Sequence, residues 1–142
     1  ECDTVTIAGM GGQTIAEILT AAPWTGRGDH LLLLQPMTMI AELRRWLYAH
    51  GYAIERETLC REDRRRYVVL SVRGGAPKRE IPLSECAVSP LRAEGAADYL
   101  EQLYLREKKA LDGMEQGASE NKRLAYQRAL VQCIQSAREE LK

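Results

Sequence analysis

The sequence shows no excess of charge of either sign, because its 142 residues include 20 Lys plus Arg and 20 Asp plus Glu. This balance excludes a strongly basic coat for nucleic acid over the whole domain, although a local basic patch is still allowed. Long apolar runs are also missing. The apolar stretch 31–34 is far shorter than the roughly 20 residues that cross a bilayer. We therefore expect no membrane partner.

Cysteine and histidine are both sparse. The four cysteines are scattered without a Cys-x-x-Cys pair, and there are only two histidines. This spacing argues against a zinc site and a disulfide framework, and it is typical of reduced thiols. We therefore expect no metal and a cytoplasmic location. His30 and His50 are interpreted as structural, and Cys60 and Cys133, which lie in apolar patterns, as core thiols.

An initiating methionine and a signal peptide are missing as well. The sequence leads from Glu1 directly into a β-branched segment, without a basic stretch followed by an apolar one. We interpret it as part of a longer protein.

The first 75 residues alternate between strand-like and helix-like segments. Strands are predicted at 4–8, 30–35, 52–60 and 66–72, and helices at 13–21 and 39–50. The charged turn 61–65 predicts that the last two strands form an antiparallel hairpin. The alternation predicts an α/β fold with a mostly parallel sheet and an antiparallel edge hairpin.

The composition changes after residue 75. Residues 76–97 contain three prolines and are predicted to be a connector. Residues 98–142 are predicted to be an α-helical hairpin with helices at 99–114 and 121–141, and Ser119 is a candidate N-cap. The predicted domains are therefore 1–75, 76–97 and 98–142.

The turn Gly9-Met10-Gly11-Gly12 follows the first predicted strand. In an open α/β sheet, ligands bind beyond the carboxyl ends of the strands, and glycine lets the backbone approach a ligand closely. The helix from Gln13 offers N–H groups to a polar ligand. The alternative is that glycines only make a tight strand-to-helix turn. The pattern is neither Gly-x-Gly-x-x-Gly nor a phosphate loop.

Gln35-Pro36 ends another predicted strand, next to the first turn if the two strands are parallel. A Gln amide both donates and accepts hydrogen bonds, which suits the edge of a nucleobase. The alternative is a polar strand end stopped by proline.

Basic residues gather in two regions. Arginine clusters bind phosphates through planar contacts, but Glu62 and Asp63 interrupt the first cluster, so a solvated hairpin turn explains it as well. The second region, on the helical hairpin, suggests either a clamp for folded RNA or an ordinary solvated face with i,i+4 ion pairs. The candidates are Arg44, Arg45, Arg61, Arg64, Arg65, Arg66, Lys108, Lys109, Lys122 and Arg123.

The segment Asp3 to Gly12, Asp-Thr-Val-Thr-Ile-Ala-Gly-Met-Gly-Gly, closely resembles the bacterial tRNA (adenine-N1)-methyltransferase family called TrmK, which methylates adenine 22 of tRNA. The resemblance covers essentially the whole chain. Further similar stretches are 33–36, 42–47, 51–52, 62–63 with 67–70, and 89–91.

The resemblance implies the second half of a Rossmann-like class I methyltransferase sheet, followed by a coiled-coil-like helical domain. The cofactor of the family is S-adenosyl-L-methionine, and the family's main cofactor site and an Asp important for catalysis precede the region matched here. A catalytic residue is therefore expected upstream of Glu1, and the chain alone is expected to be inactive.

The resemblance also implies roles for individual residues. The backbone at Ala8, Gly9 and Met10 is expected beside the amino-acid end of the methyl donor. Gly11, Gly12, Gln35 and Pro36 are expected to shape the adenine pocket, and the basic residues named above to contact tRNA. Two other interpretations stay open: a non-catalytic RNA-binding module, and a dimerisation module that forms a weak homo-oligomer through the helical hairpin.

Overall fold

The computed structural model describes residues 3–88, 95–117 and 120–141. A short 3-10 segment, Pro23–Arg27, lies where the sequence predicts a loop. The strands and α-helices in chain order are β1 Thr4–Met10, α1 Gly12–Ala21, β2 Leu31–Pro36, α2 Ile40–Ala49, β3 Ala53–Glu62, β4 Arg65–Arg73, α3 Leu83–Cys86, α4 Ala96–Gln116 and α5 Lys122–Glu140.

The four strands form one sheet in the order β1-β2-β4-β3. β1 and β2 are parallel, whereas β4 is antiparallel to both β2 and β3. The α/β class and the antiparallel hairpin are thus confirmed. The expectation of a mostly parallel sheet is wrong, since two of the three pairings are antiparallel and the sheet is mixed.

The position of β4 inside the sheet follows from its side chains. Val68, Leu70 and Val72 share one face of the strand and are buried in the core, as suits a strand in the middle of the sheet. β3 carries exposed charged residues such as Glu55 and Arg56, which suit an edge strand. The second strand of the hairpin therefore lies next to β2, and the first strand lies at the edge.

The core lies between the sheet and the helices α1 and α2. Leu32 and Leu34 of β2 are fully buried, and the helices contribute Ile15 and Leu47 to the same cluster. Each such side chain contributes about 2 kcal/mol through burial. Tyr99 of α4 also packs against this cluster, which brings the C-terminal helices to the α/β unit.

The predicted C-terminal helices are confirmed, and they pack on each other through a second cluster. Leu111 of α4 and Leu124 and Val131 of α5 are its buried members. The side chain of Asn121 caps α5 by accepting from the Leu124 N–H at 2.9 Å. The proposed cap Ser119 and the similar stretch 89–91 lie outside the described residues.

The thiols differ from the expectation. Cys60 is exposed, because its position near the end of an edge strand turns it to solvent, so its prediction as a core thiol is wrong. Cys133 is partly buried. The buried thiol is Cys86, on the short helix α3 that the sequence did not predict. No helix in the described part of the chain has the length and apolar character needed to cross a membrane.

Candidate functional site

The carboxyl ends of β1, β2 and β3 lie at one edge of the sheet, because these three strands run in the same direction. Ala8 of β1 is in register with Gln35 of β2, and Met10 is in register with Pro36. The structure therefore brings the glycine turn and Gln35-Pro36 together, as the sequence predicts for adjacent parallel strands. The edge defined by these ends is called the carboxyl edge below.

Gly9 forms a bulge at the carboxyl edge. The register between β1 and β2 shifts between Ala8 and Met10, and Gly9 has a positive φ of 75°. This conformation favours glycine over residues with a side chain. Apart from its two neighbours in the chain, none of the described residues has an atom within 4 Å of a Cβ placed on Gly9, so among them the space beside its backbone is open to a ligand.

Gly11 and Gly12 are closely packed by their own chain. A Cβ on Gly11 would lie 2.8 Å from Thr38 Oγ1, and one on Gly12 would lie 2.4 Å from the Met39 carbonyl oxygen. The Gly12 N–H also donates to the Thr38 carbonyl at 2.8 Å. Both glycines therefore let the first turn of α1 pack against the segment that leads into α2.

This packing corrects two predicted substrate contacts. Gly12 and Pro36 are buried, so neither exposes a surface that an adenine base can touch. Gly12 and Pro36 instead support the glycine turn from its buried side. Gly11 and Gln35 are partly exposed, and their contact with the base stays a prediction.

Three methionines near the carboxyl edge are exposed, and only Met10 is among the candidate site residues predicted from the sequence, for its backbone. Met10, Met37 and Met39 are 40%, 46% and 46% exposed. All three lie within three residues of a strand end, between glycines or after a proline. This position in the sequence could have identified them as site residues. Large exposed apolar side chains at a cleft are suited to contact with a flat ligand.

A groove of about 460 Å³ lies between α1 and α2, beside the first turn of α1. Its lining includes Gln13, Met39, Arg45 and Trp46. Trp46 stacks on His50 with ring centroids 4.2 Å apart. Arg45 is exposed at this groove, and not at the turn between β3 and β4 where other candidate arginines lie.

Three of the predicted phosphate-binding arginines lie at the turn between β3 and β4, with Arg64 in the turn, Arg61 near the end of β3 and Arg65 at the start of β4. Arg61, Arg64 and Arg65 are all exposed there. Arg64 and Arg65 line an open depression of about 670 Å³, and Arg61 does not. The other residues that line it are Glu62, Asp63 and Tyr67. Leu34 is in register with Leu70, so the turn projects beyond the end of β2 by roughly 10 Å at about 3.3 Å per residue. The turn therefore stands at the carboxyl edge.

Two arginines of the predicted cluster are engaged within the chain. Arg44 is buried, and it donates from Nε to Glu57 Oε1 at 2.6 Å and from Nη1 to the Cys86 carbonyl at 2.8 Å. This corrects its prediction as a tRNA contact, because a phosphate cannot reach it. Arg66 forms an ion pair with Asp98 of α4 and is largely covered.

The basic residues of the helical hairpin were predicted either to clamp RNA or to form an ordinary solvated face with ion pairs, and the structure separates them. Lys108 pairs with Asp112 at 3.1 Å, four residues further along α4, and this contact raises the pKa of Lys108. The ordinary solvated face therefore explains this residue. Lys109, Lys122 and Arg123 are exposed, and their contact with RNA stays a prediction.

Both histidines make contacts within the chain, in line with their structural interpretation. His50 Nδ1 lies 2.8 Å from the Trp46 carbonyl oxygen, and His30 meets Trp24 edge-on at 4.9 Å between ring centroids. Within the described ranges, no three His, Cys, Asp or Glu side chains are grouped so that they could hold a metal ion.

Comparisons with known proteins agree with this fold. Residues 1–70 match a family described as a methyltransferase domain. A segment of 75 residues, 53% of this chain and 32% of the relative, is 43% identical to the tRNA (adenine(22)-N(1))-methyltransferase of Bacillus subtilis strain 168.

Two solved structures extend the likeness over nearly the whole chain. The B. subtilis M1A22 tRNA methyltransferase TrmK has a TM-score of 0.77 and 25% identity, over 96% of this chain and 63% of that one. A Streptococcus pneumoniae protein in complex with S-adenosyl-L-methionine has a TM-score of 0.72 and 25% identity, over 96% of this chain and 60% of that one.

The sheet, the strand-end turn and these matches define a Rossmann-like methyltransferase fold. More narrowly, the chain is similar to part of the tRNA (adenine(22)-N(1))-methyltransferase TrmK of B. subtilis, in sequence and in fold. It spans about three fifths of the length of the solved relatives that it matches.

Proposed function

We propose that this chain is part of an S-adenosyl-L-methionine-dependent enzyme that methylates N1 of adenine 22 in tRNA. The observation that carries the proposal is the open Gly9 bulge at the carboxyl edge, in register with Gln35. Relatives that match the chain bear the name of this activity, and one was solved with the methyl donor. A tRNA substrate also implies a cytoplasmic location.

The residues present fit one side of a methyl-donor site. Ala8, Gly9 and Met10 are exposed, and no described residue beyond its chain neighbours fills the space beside Gly9. When bound, S-adenosyl-L-methionine supplies a methyl group on a positively charged sulfur. The three residues would hold its amino-acid end, and Met10 would cover the ligand from the solvent side.

The target atom sets the remaining requirements. N1 of adenine lies on the Watson–Crick edge, so the base must leave its stack to reach the carboxyl edge. N1 carries its own lone pair, so the task of the protein is to align the base with the donor. A proton must then leave the exocyclic amine, and a carboxylate from the region preceding Glu1, or solvent, is proposed to accept it.

The turn between β3 and β4 is proposed to bind the tRNA backbone near the target base. Its arginines Arg61, Arg64 and Arg65 are exposed and project from the carboxyl edge. Guanidinium groups bind phosphates through paired hydrogen bonds. Lys109, Lys122 and Arg123 would extend the contact along the helical hairpin.

The domain boundaries are proposed as predicted, with the second half of the methyltransferase sheet at 1–75, a connector at 76–97 and a helical hairpin at 98–142. In its support, β1 lies at the end of the sheet with most of its residues exposed, which leaves its outer edge available to strands of a first half. The residues described here supply one side of the site, so we expect the 142-residue chain to be inactive alone.

Methyl-transfer assays on the 142-residue chain and on a longer form of the protein test the proposal. A protein extended to the length of its relatives is expected to methylate a tRNA transcript with adenine at position 22 and to leave a transcript with guanine there unmodified. The 142-residue chain is expected to methylate neither transcript and to bind S-adenosylhomocysteine weakly in calorimetry. An extended protein that binds the donor but leaves adenine 22 unmethylated would refute the proposed substrate.

A further inference from the structure

The side chain of Gln35 makes two hydrogen bonds within the chain. Its Oε1 accepts from the Gly9 N–H at 3.0 Å, and its Nε2 donates to Met37 Sδ at 3.2 Å. One partner lies on β1, 26 residues away, and the other lies just beyond β2. The amide is therefore held in one orientation by both sides of the carboxyl edge.

The need for this contact begins with an extra residue in β1. The Leu31 N–H donates to the Asp3 carbonyl at 2.9 Å, and the Met37 N–H donates to the Met10 carbonyl at 2.8 Å. The two donors on β2 keep the regular alternate spacing of a parallel ladder, but the two acceptors on β1 are one residue further apart. The additional residue is Gly9, where the register between the strands shifts.

A bulge leaves one residue outside the regular ladder. At this site it is Gly9, whose N–H donates to a side chain, Gln35 Oε1. The side chain thus gives the Gly9 N–H the partner that the ladder does not supply at the bulge. The amide of Gln35 therefore stabilises the one backbone conformation in which Gly9 has a φ of 75° and faces open space.

We propose that Gln35 is a positioning residue, which fixes the Ala8–Met10 backbone for the methyl donor by satisfying the Gly9 N–H. This inference rests on the proposed function only for the identity of the ligand. It assigns to Gln35 an effect on donor affinity, in contrast to the predicted reading of the adenine edge, which would affect tRNA alone.

Amide hydrogen exchange in the 142-residue chain tests the contact without any ligand. In Gln35→Leu and Gln35→Asn, which remove or withdraw the carbonyl, exchange at Gly9 is expected to accelerate roughly tenfold. Gln35→Glu keeps an acceptor at the same distance and is expected to retain the protection. Gln132→Leu, at an exposed position of α5, is the matched control and should change nothing at Gly9.

Binding and kinetics in the extended protein then separate positioning from base reading. Positioning predicts S-adenosyl-L-methionine affinity roughly tenfold weaker in the Leu and Asn variants and nearly unchanged in Gln35→Glu. Base reading predicts unchanged donor affinity and a raised KM for tRNA in Gln35→Glu, whose carboxylate cannot donate.

Unchanged Gly9 exchange in both the Leu and Asn variants would overturn the inference, as would unchanged donor affinity beside a wild type that binds. A wild type that does not bind the donor would instead refute the proposed function. In that case the exchange result would still decide whether Gln35 holds Gly9.

Discussion

Arg44 of α2 and Glu57 of β3 form a buried ion pair, with Nε and Oε1 2.6 Å apart and side chains 1% and 7% exposed. Arg44 also donates to the Cys86 carbonyl, so one guanidinium joins α2, β3 and α3. In the described part of the chain, neither Arg44 Nη2 nor Glu57 Oε2 has a hydrogen-bond partner. Removing one partner is therefore costly, because the charge of the other stays buried. The hydrogen bonds of the pair offset only part of the cost of burying the two charges.

We expect Arg44→Met to lower the free energy of unfolding by about 3–5 kcal/mol, because it leaves the Glu57 carboxylate buried without a partner. Urea denaturation measures this change. The double variant Arg44→Met with Glu57→Leu should recover most of the loss, since no charge is then buried.

The control for this prediction is the exposed pair Arg73 and Glu55, whose side chains are 42% and 48% exposed. Arg73→Met should cost less than about 1 kcal/mol. A double variant no more stable than Arg44→Met alone would contradict the prediction.

A second prediction compares two glycines in helices. Gly12→Ala places a Cβ 2.4 Å from the Met39 carbonyl oxygen, so it should lower the free energy of unfolding by about 1–3 kcal/mol. Gly113→Ala, within α4, meets no atom within 4 Å and should raise it by about 0.5–1 kcal/mol. Thermal melts of the two variants measure both effects, and equal shifts would show that the turn at Gly12 yields without strain.

The third prediction concerns alkaline pH. Burial raises the pKa of the Cys86 thiol above its usual range, although the nearby Arg44 charge acts in the opposite direction. In the unfolded chain the thiol ionises near pH 8.5, whereas in the folded protein it stays protonated to higher pH. The unfolded state then binds fewer protons, so stability falls as the pH rises above about 8.5.

Urea midpoints between pH 7 and pH 10 check this slope. Cys86→Ala should be less stable at neutral pH but show a shallower decline above pH 8.5. The difference between the two proteins isolates Cys86 from other groups, including Tyr126, whose pKa burial also raises. Parallel declines would exclude a contribution from Cys86.

The fourth prediction addresses tRNA. In the protein extended to the length of its relatives, Arg64→Glu with Arg65→Glu should weaken binding of a tRNA transcript. The slope of log affinity against log salt should also become flatter by roughly one to two, because about two phosphate contacts are lost. Filter binding at several salt concentrations measures both quantities.

The matched control reverses the same number of charges elsewhere. Arg27→Glu with Arg73→Glu lies near the opposite end of β4, away from the carboxyl edge. It should leave the salt slope unchanged. If both double variants weaken binding equally, net charge rather than the β3–β4 turn determines the affinity.

Arg44 and Arg45 show why the sequence alone could not predict part of the site. Arg44 and Arg45 are adjacent in the sequence and appeared as one basic pair. Successive residues of an α-helix differ by about 100° in direction, so Arg44 follows Leu43 into the core while Arg45 stays at the surface. Whether a buried position accepts a charge depends on a partner such as Glu57, which lies 13 residues away.

The sequence by itself determined the four strands, the four long helices, the hairpin and the glycine turn, because apolar periodicity and turn chemistry act over a few neighbouring residues. It also carried the resemblance to the TrmK family, through the segment from Asp3 to Gly12. Only the tertiary structure decided that β4 lies inside the sheet, that Arg44 is buried, and that Gln35 reaches Gly9. These outcomes depend on contacts between residues far apart in the chain, which form only once the sheet has assembled.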